Sequence, residues 1–177
     1  SCTVAGAVTA PAKSTTSNTT SNPFRFGHVF EGATPRPGMT ATALVIGGTR
    51  FIGRHTVSDL LANGYEVTML NRGNHENPFA DDGRVTHVEG DRKTERDLRT
   101  AKLSAEPDIV IDCVAYQPAD VEKATDVFAD VDGYVYISSG DSYAAESIPK
   151  REGETPLRSC SPEQATDDTS DTYGNRK

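Results

Sequence analysis

The chain has 177 residues, 35% hydrophobic and 25% charged, with 18 Lys and Arg against 26 Asp and Glu for a net charge of −8. That length suffices for one domain with a real core. The acidity argues against a nucleic-acid surface, which needs cations to neutralise phosphates, and no apolar run approaches a helical membrane span.

Residues 1–38 are rich in Ser, Thr, Asn, Ala, Gly and Pro without apolar periodicity. Such a composition buries too little surface to offset chain entropy, so a disordered low-complexity extension is expected. It lacks the apolar core of a signal peptide. The first methionine, Met39, stands just before the first strand and is expected to be the natural start, leaving one domain over 39–177.

From Thr42 the pattern alternates. A strand over 42–46 runs into a glycine turn. A helix over 51–63 follows, with Ile52, Val57, Leu60 and Leu61 on one face and Gly64 as its stop signal. Strands are expected at 66–70 and 84–88, a helix at 94–103, a strand at 108–114, a helix at 119–130 and a strand at 133–138. Residues 144–171 read as a long polar loop, and another helix is expected to begin near Thr172. Strand–helix alternation of this kind predicts an α/β fold with a doubly wound parallel sheet.

The chemistry concentrates at the ends of these strands. Gly47 permits the tight turn after the first strand, Gly48 lets backbone approach a phosphate, and Gly53 permits close packing of helix on strand, as in a pyrophosphate-binding turn. Glycines also serve a plain strand–helix turn, but the continuing alternation argues for the binding unit. Asn71-Arg72 ends the second strand, where an acidic residue would bond the ribose 2′-OH of NAD and an Arg suits the 2′-phosphate of NADP. With Arg72 present, Arg50 in the turn and no carboxylate, NADP is preferred over NAD. Asp91 is placed to meet an adenine amino group and Arg92 to lie over the ring, although Gly90-Asp91-Arg92 also suits an ordinary turn. Ser138 and Ser139 follow the fifth strand, where hydroxyls can hold a substrate oxygen or simply make a turn. Tyr173 and Lys177 stand at i, i+4, one helical turn apart, so an ammonium beside the phenol is expected to lower its pKa.

The cysteines, Cys2, Cys113 and Cys160, make no CxxC pair, so a reducing compartment is expected, with Cys113 as a small core residue. His28, His55, His75 and His87 lack metal-ligand spacing, and no metal site is expected. Arg exceeds Lys and Asp exceeds Glu, which fits a salt-adapted, halophile-like cytoplasmic protein or an ordinary acidic enzyme.

Taken together, Gly-Gly-Thr-Arg-Phe-Ile-Gly (47–53), Asn-Arg-Gly (71–73), Gly-Asp-Arg (90–92), Asp-Cys-Val-Ala (112–115), Ile-Ser-Ser-Gly-Asp-Ser-Tyr (137–143) and Tyr-Gly-Asn-Arg-Lys (173–177) resemble an extended short-chain dehydrogenase/reductase of the NAD-dependent epimerase/dehydratase group. The resemblance implies a Rossmann fold. It implies cofactor contacts from Gly47, Gly48, Thr49, Arg50, Phe51, Ile52, Gly53, Asn71, Arg72, Asp91, Arg92, Val114, Ala115 and Lys177. It makes Tyr173 the general acid/base, Lys177 the holder of the nicotinamide ribose, and Ser139 (Ser138 as fallback) the group bonding the substrate oxygen. The implied substrate is a small molecule, typically a nucleotide-linked sugar, and the longer form would be a homodimer. Arg50 departs from the usual middle glycine, as in subgroups similar to chloroplast stem-loop-binding proteins and atypical reductases. The family continues beyond the position of Lys177 into a substrate domain, so weak or absent turnover is expected from these residues alone. Alternatives on the same fold are a non-catalytic NADP-sensing regulator and an RNA-binding relative of the stem-loop-binding type.

Overall fold

Five segments form five parallel strands: β1 Thr42–Ile46, β2 Glu66–Asn71, β3 Val85–Glu89, β4 Ile109–Asp112 and β5 Gly133–Tyr136. They lie in the order β3-β2-β1-β4-β5 in a computed structural model that describes residues 40–145, 148–151 and 153–177. The extension expected over 1–38 and the start at Met39 lie outside the described residues. The strand order reverses at β1, the switch point where open α/β sheets bind ligands beyond their carboxyl ends. Register brings Ile46 beside both Leu70 and Asp112, so β1, β2 and β4 end together.

Alternation along each strand divides the core. Ala43, Val45, Val67, Met69, Ile109 and Ile111 pack with Val57, Leu60 and Leu61 of α1 (Phe51–Ala62) on one face. Leu44, Ile46, Leu70 and Val110 face Leu98 and Ala101 of α2 (Glu95–Ala105) and Ala124 and Val127 of α3 (Pro118–Val127) on the other. Each fully buried Leu, Ile or Val contributes about 1.5–3 kcal/mol by leaving water.

Several boundaries differ from those the sequence predicts, each for a local reason. Ile52 is 55% exposed rather than on the packed face of α1: five residues before Val57 it stands about 140° away around the helix. The end of α1 matches its stop signal, with Gly64 N donating to Leu61 O and Tyr65 N to Leu60 O, the paired bonds of a Schellman motif. Helix α2 runs on to Ala105 because Glu106 supplies a left-handed cap without being glycine. Helix α3 starts earlier, at Pro118, behind a capping box of Gln117 and Asp120, and ends earlier as Phe128 turns into the core. Strand β4 stops at Asp112, whose Oδ1 accepts from Val114 N and turns the chain. Tyr136 is the register partner of Asp112, and β5 ends there, with Ile137 N making the last bond to Asp112 O at 2.9 Å.

The expected loop over 144–171 contains structure. Ser161 and Gln164 cap a short helix, α4 (Pro162–Thr166), reciprocally. A 3-10 turn at Ser170–Thr172 then leads into α5, Tyr173–Arg176. Among the described residues no helix is long and apolar enough to cross a membrane, and no group of His, Cys, Asp and Glu is gathered to hold a metal ion.

Candidate active site

The turn after β1 is built as its glycines require. Gly47 has φ +91° and its N–H donates to Leu70 O at 3.0 Å, tying the turn to the end of β2. A Cβ on Gly53 would lie 2.1 Å from Gly47 O, so only glycine lets α1 start this close to the strand end. Arg50 is the extended N-cap of α1, with no side-chain cap and no acidic residue in the first turn. The first N–H groups of α1 therefore keep no carboxylate or hydroxyl partner of their own, the arrangement that receives an anion. Thr49 is half-buried within the turn, while the Phe51 ring is 77% exposed at its rim. Val114 covers the turn, its Cγ1 occupying the space a Cβ on Gly47 would need.

At the end of β2, Asn71 Oδ1 accepts from Gly73 N at 3.0 Å and lies 2.9 Å from His87 Nε2. Its Nδ2 is buried without a hydrogen-bond partner. A buried donor left over at this place fits a ligand that brings an acceptor. Together with the open glycine turn it meets what a dinucleotide asks of a site. Arg72 is exposed, and Arg50 lies with Nη1 3.2 Å from His75 Nε2 and its guanidinium 5.1 Å from the Phe51 ring centre.

Arg92, expected to lie over an adenine ring, is turned into the protein interior. Its guanidinium is buried, ion-paired with Asp112 Oδ2 and, at 3.1 Å, with Asp120 Oδ1, and it donates to Asp120 O at 3.0 Å. The reason is electrostatic: Asp112 and Asp120 are themselves buried and together hold the cation. Asp112 also accepts from Tyr134 OH at 3.1 Å. Asp120 Oδ2 accepts from Tyr116 N and Gln117 N. The network thereby shapes the segment 113–117 that follows β4. Asp91 is half-buried, with Oδ1 accepting from Lys93 N.

Lys177 is 7% exposed, and its Nζ donates to Ala115 O. The ammonium lies 4.9 Å from the Tyr116 ring centre and 4.7 Å from that of Tyr136. Burial pulls its pKa down to about 8, against the attraction of Asp112. Its main-chain oxygen accepts from Tyr136 OH at 2.7 Å and Ser138 Oγ at 3.1 Å. Burial pushes the Tyr136 phenol up and the Cys113 thiol up to about 12, so the first stays protonated and the second is an inert, partly buried neighbour of the core.

The Lys177 ammonium, expected beside the Tyr173 phenol, makes no hydrogen bond to it and turns to Ala115 O and two other tyrosines. Desolvation drives it there, because a buried ammonium needs a carbonyl and ring faces to replace water. Tyr173 instead sets its ring 6.4 Å from that of Tyr116 and 5.7 Å from the Arg176 guanidinium. Ser139 caps the short turn Gly140–Ser142, its Oγ accepting from Asp141 N at 3.2 Å. A Cβ on Gly174 would lie 2.4 Å from Asp141 O, so α5 seats directly on the turn that carries Ser139. The fold thus gathers Ser139, Tyr173 and Lys177 at the ends of β4 and β5, beside Ala115 and near the glycine turn. Tyr116, His75 and Asp120 belong to the same edge and were not singled out by sequence. Only Asp120 left a signal, as the third residue after Gln117 in a capping box ahead of an apolar helix.

The model of the NAD dependent epimerase/dehydratase family matches residues 43–137. The chain belongs to this family. It is 32% identical over 117 residues to the chloroplast stem-loop binding protein of 41 kDa b of Arabidopsis thaliana, an alignment covering 59% of this chain and 31% of that one. Among solved structures it superposes on an epimerase from Methanothermobacter thermautotrophicus with TM-score 0.60 and 18% identity, over 76% of this chain and 44% of that one. It superposes on UDP-glucose 4-epimerase from Bifidobacterium longum, solved with NAD+ and UDP, with TM-score 0.56 and 22% identity, over 68% and 43%. Such identities establish a shared fold. The chain spans less than half of these solved relatives and about a third of the curated one.

Proposed function

We propose that this family member is the cofactor-binding part of an NAD(P)-dependent oxidoreductase of the epimerase/dehydratase or reductase kind, acting on a hydroxyl or carbonyl carbon of a small molecule such as a nucleotide-linked sugar. The observation that carries the reading is the glycine turn packed against the uncapped start of α1, with the orphan donor of Asn71 beside it. When bound, a nicotinamide cofactor supplies the hydride exchange. The turn residues Gly47 to Gly53 would receive its pyrophosphate, and Asn71 with Arg72 would meet the adenosine ribose. NADP is favoured over NAD because two arginines and no aspartate or glutamate occupy the turn and the end of β2. Tyr173 would give and take the proton at the substrate oxygen, Ser139 would bond that oxygen, and Lys177 would supply a cation near them. Residues beyond this span would complete the substrate site and a homodimer.

Titration of the chain with NADH and NADPH, followed by cofactor fluorescence and calorimetry, tests the site. Saturable one-to-one binding with NADPH tighter is expected. Failure of both to bind would overturn the assignment. The likeness to a stem-loop binding protein supports a second reading, binding of structured RNA. A net charge of −8 opposes it. A gel-shift titration with an RNA hairpin at low and moderate salt separates the two.

A further inference from the structure

The Arg50–His75 contact joins two loops that no backbone hydrogen bond requires to meet here. Arg50 comes from the turn after β1, and His75 from the loop after β2. A guanidinium only donates, so His75 Nε2 is the acceptor and the imidazole carries its proton on Nδ1. Arg50 is held on two sides, by that nitrogen at 3.2 Å and by the Phe51 ring at 5.1 Å. Of its five N–H donors, one is engaged by His75. The rest are offered to solvent between the ends of β1 and β2, where Asn71 Nδ2 is also a donor without a partner. A positively charged fork fixed in place beside a second donor suits an oxyanion better than a hydroxyl. Opposing charge is near: Glu89, at the end of β3, lies against Gly73, which disfavours any anion unless a cation is held in position against it.

We infer that His75 is a positioning residue for cofactor choice, holding Arg50 to bind a phosphomonoester on the adenosine ribose. The inference rests on the NADP reading above and adds to it a residue that the glycine fingerprint does not contain. Without the acceptor on His75, Arg50 keeps only its contact with the Phe51 ring and loses much of the preorganisation that makes it selective.

The test is calorimetric titration of the whole chain, wild type and variants, with NADPH and NADH, and with adenosine 2′-monophosphate and 5′-monophosphate as fragments. His75→Leu is expected to weaken NADPH and the 2′-monophosphate about ten-fold, the worth of one charge-assisted hydrogen bond, while leaving NADH and the 5′-monophosphate unchanged. His75→Gln, which keeps an acceptor for Arg50, is expected to restore most of the loss. Arg50→Gly should abolish the preference for the 2′-phosphate altogether. An undiminished NADPH preference in His75→Leu would overturn the role of His75 while leaving the NADP reading intact. Equal affinity of the wild type for NADPH and NADH would overturn both. Equal weakening of all four ligands in His75→Leu would show a general structural role and also overturn the inference.

Discussion

Replacing Arg92 by Met removes the cation from a buried network and leaves Asp112, fully buried, and Asp120, 4% exposed, facing each other across the vacated site. Removing one partner of a buried pair costs about 3–5 kcal/mol because the remaining charge is desolvated and unpaired. Both carboxylates keep other bonds: Asp112 from Val114 N and Tyr134 OH, and Asp120 from Tyr116 N and Gln117 N. Arg92 Nε is itself buried without a partner, so the native arrangement already carries a penalty that Met relieves. These two effects place the expected loss near the lower limit, about 3 kcal/mol. For a domain of this size the midpoint of thermal unfolding should fall by roughly 6–12 °C. The double variant Arg92→Met/Asp112→Asn leaves a neutral amide in place of a charge and should recover about 1 kcal/mol or more of the loss. Urea unfolding followed by circular dichroism, with the denaturant slope unchanged between variants, provides the comparison. A loss below about 1 kcal/mol in the single variant, or a double variant less stable than the single one, would refute the view that Arg92 neutralises these two carboxylates.

Gly53→Ala should destabilise by about 1–3 kcal/mol through overpacking, because its methyl would meet the Gly47 carbonyl at 2.1 Å; unchanged melting and unchanged NADPH affinity would show that the turn can yield. Leu98→Ala, at a fully buried position between α2 and the sheet, should cost about 2–5 kcal/mol, read by the same urea unfolding. Lys177 should titrate with a midpoint near 8, which heteronuclear NMR of its side chain can follow. Its folded pKa lies below the unfolded 10.5, so the unfolded chain binds the extra proton between these values. Stability should therefore rise with pH from about 8 until about 9, where the Cys113 thiol, raised by burial from 9.0 to about 12, begins to contribute a falling slope, and Lys177→Met should remove the rise. A slope that survives in Lys177→Met would assign it to another group.

What the sequence made legible was whatever depends on short-range pattern. The β1 turn, the alternation of strands and helices and the stop of α1 at Gly64 all follow from residues within a few positions of each other. Arg92 shows where such reading fails: at the end of a strand beside Asp91 it looks like a ligand-facing residue, and only packing reveals that Asp112, twenty positions on, and Asp120 capture it. The contacts of Lys177 need the tertiary fold in the same way. Its spacing from Tyr173 is correct for one helix face, but its side chain is drawn toward Ala115, 62 positions away. Pairing inferred from helical spacing neglects the desolvation of an ammonium, which seeks whichever carbonyl and rings the tertiary fold brings near. His75 had no local signal at all, because its relation to Arg50 depends on two loops converging at the switch point.

Helix α5 comprises Tyr173–Arg176 among the described residues. What holds it comes from elsewhere: Tyr136 and Ser138 grip its last carbonyl, Ala115 grips the Lys177 side chain, and the turn at Asp141 receives Gly174. Tyr173 and Lys177 therefore depend for their place on the segments that follow β4 and β5. Ligands that touch these residues would slow the exchange of the α5 amides with solvent, so their protection gauges whether the whole site is assembled.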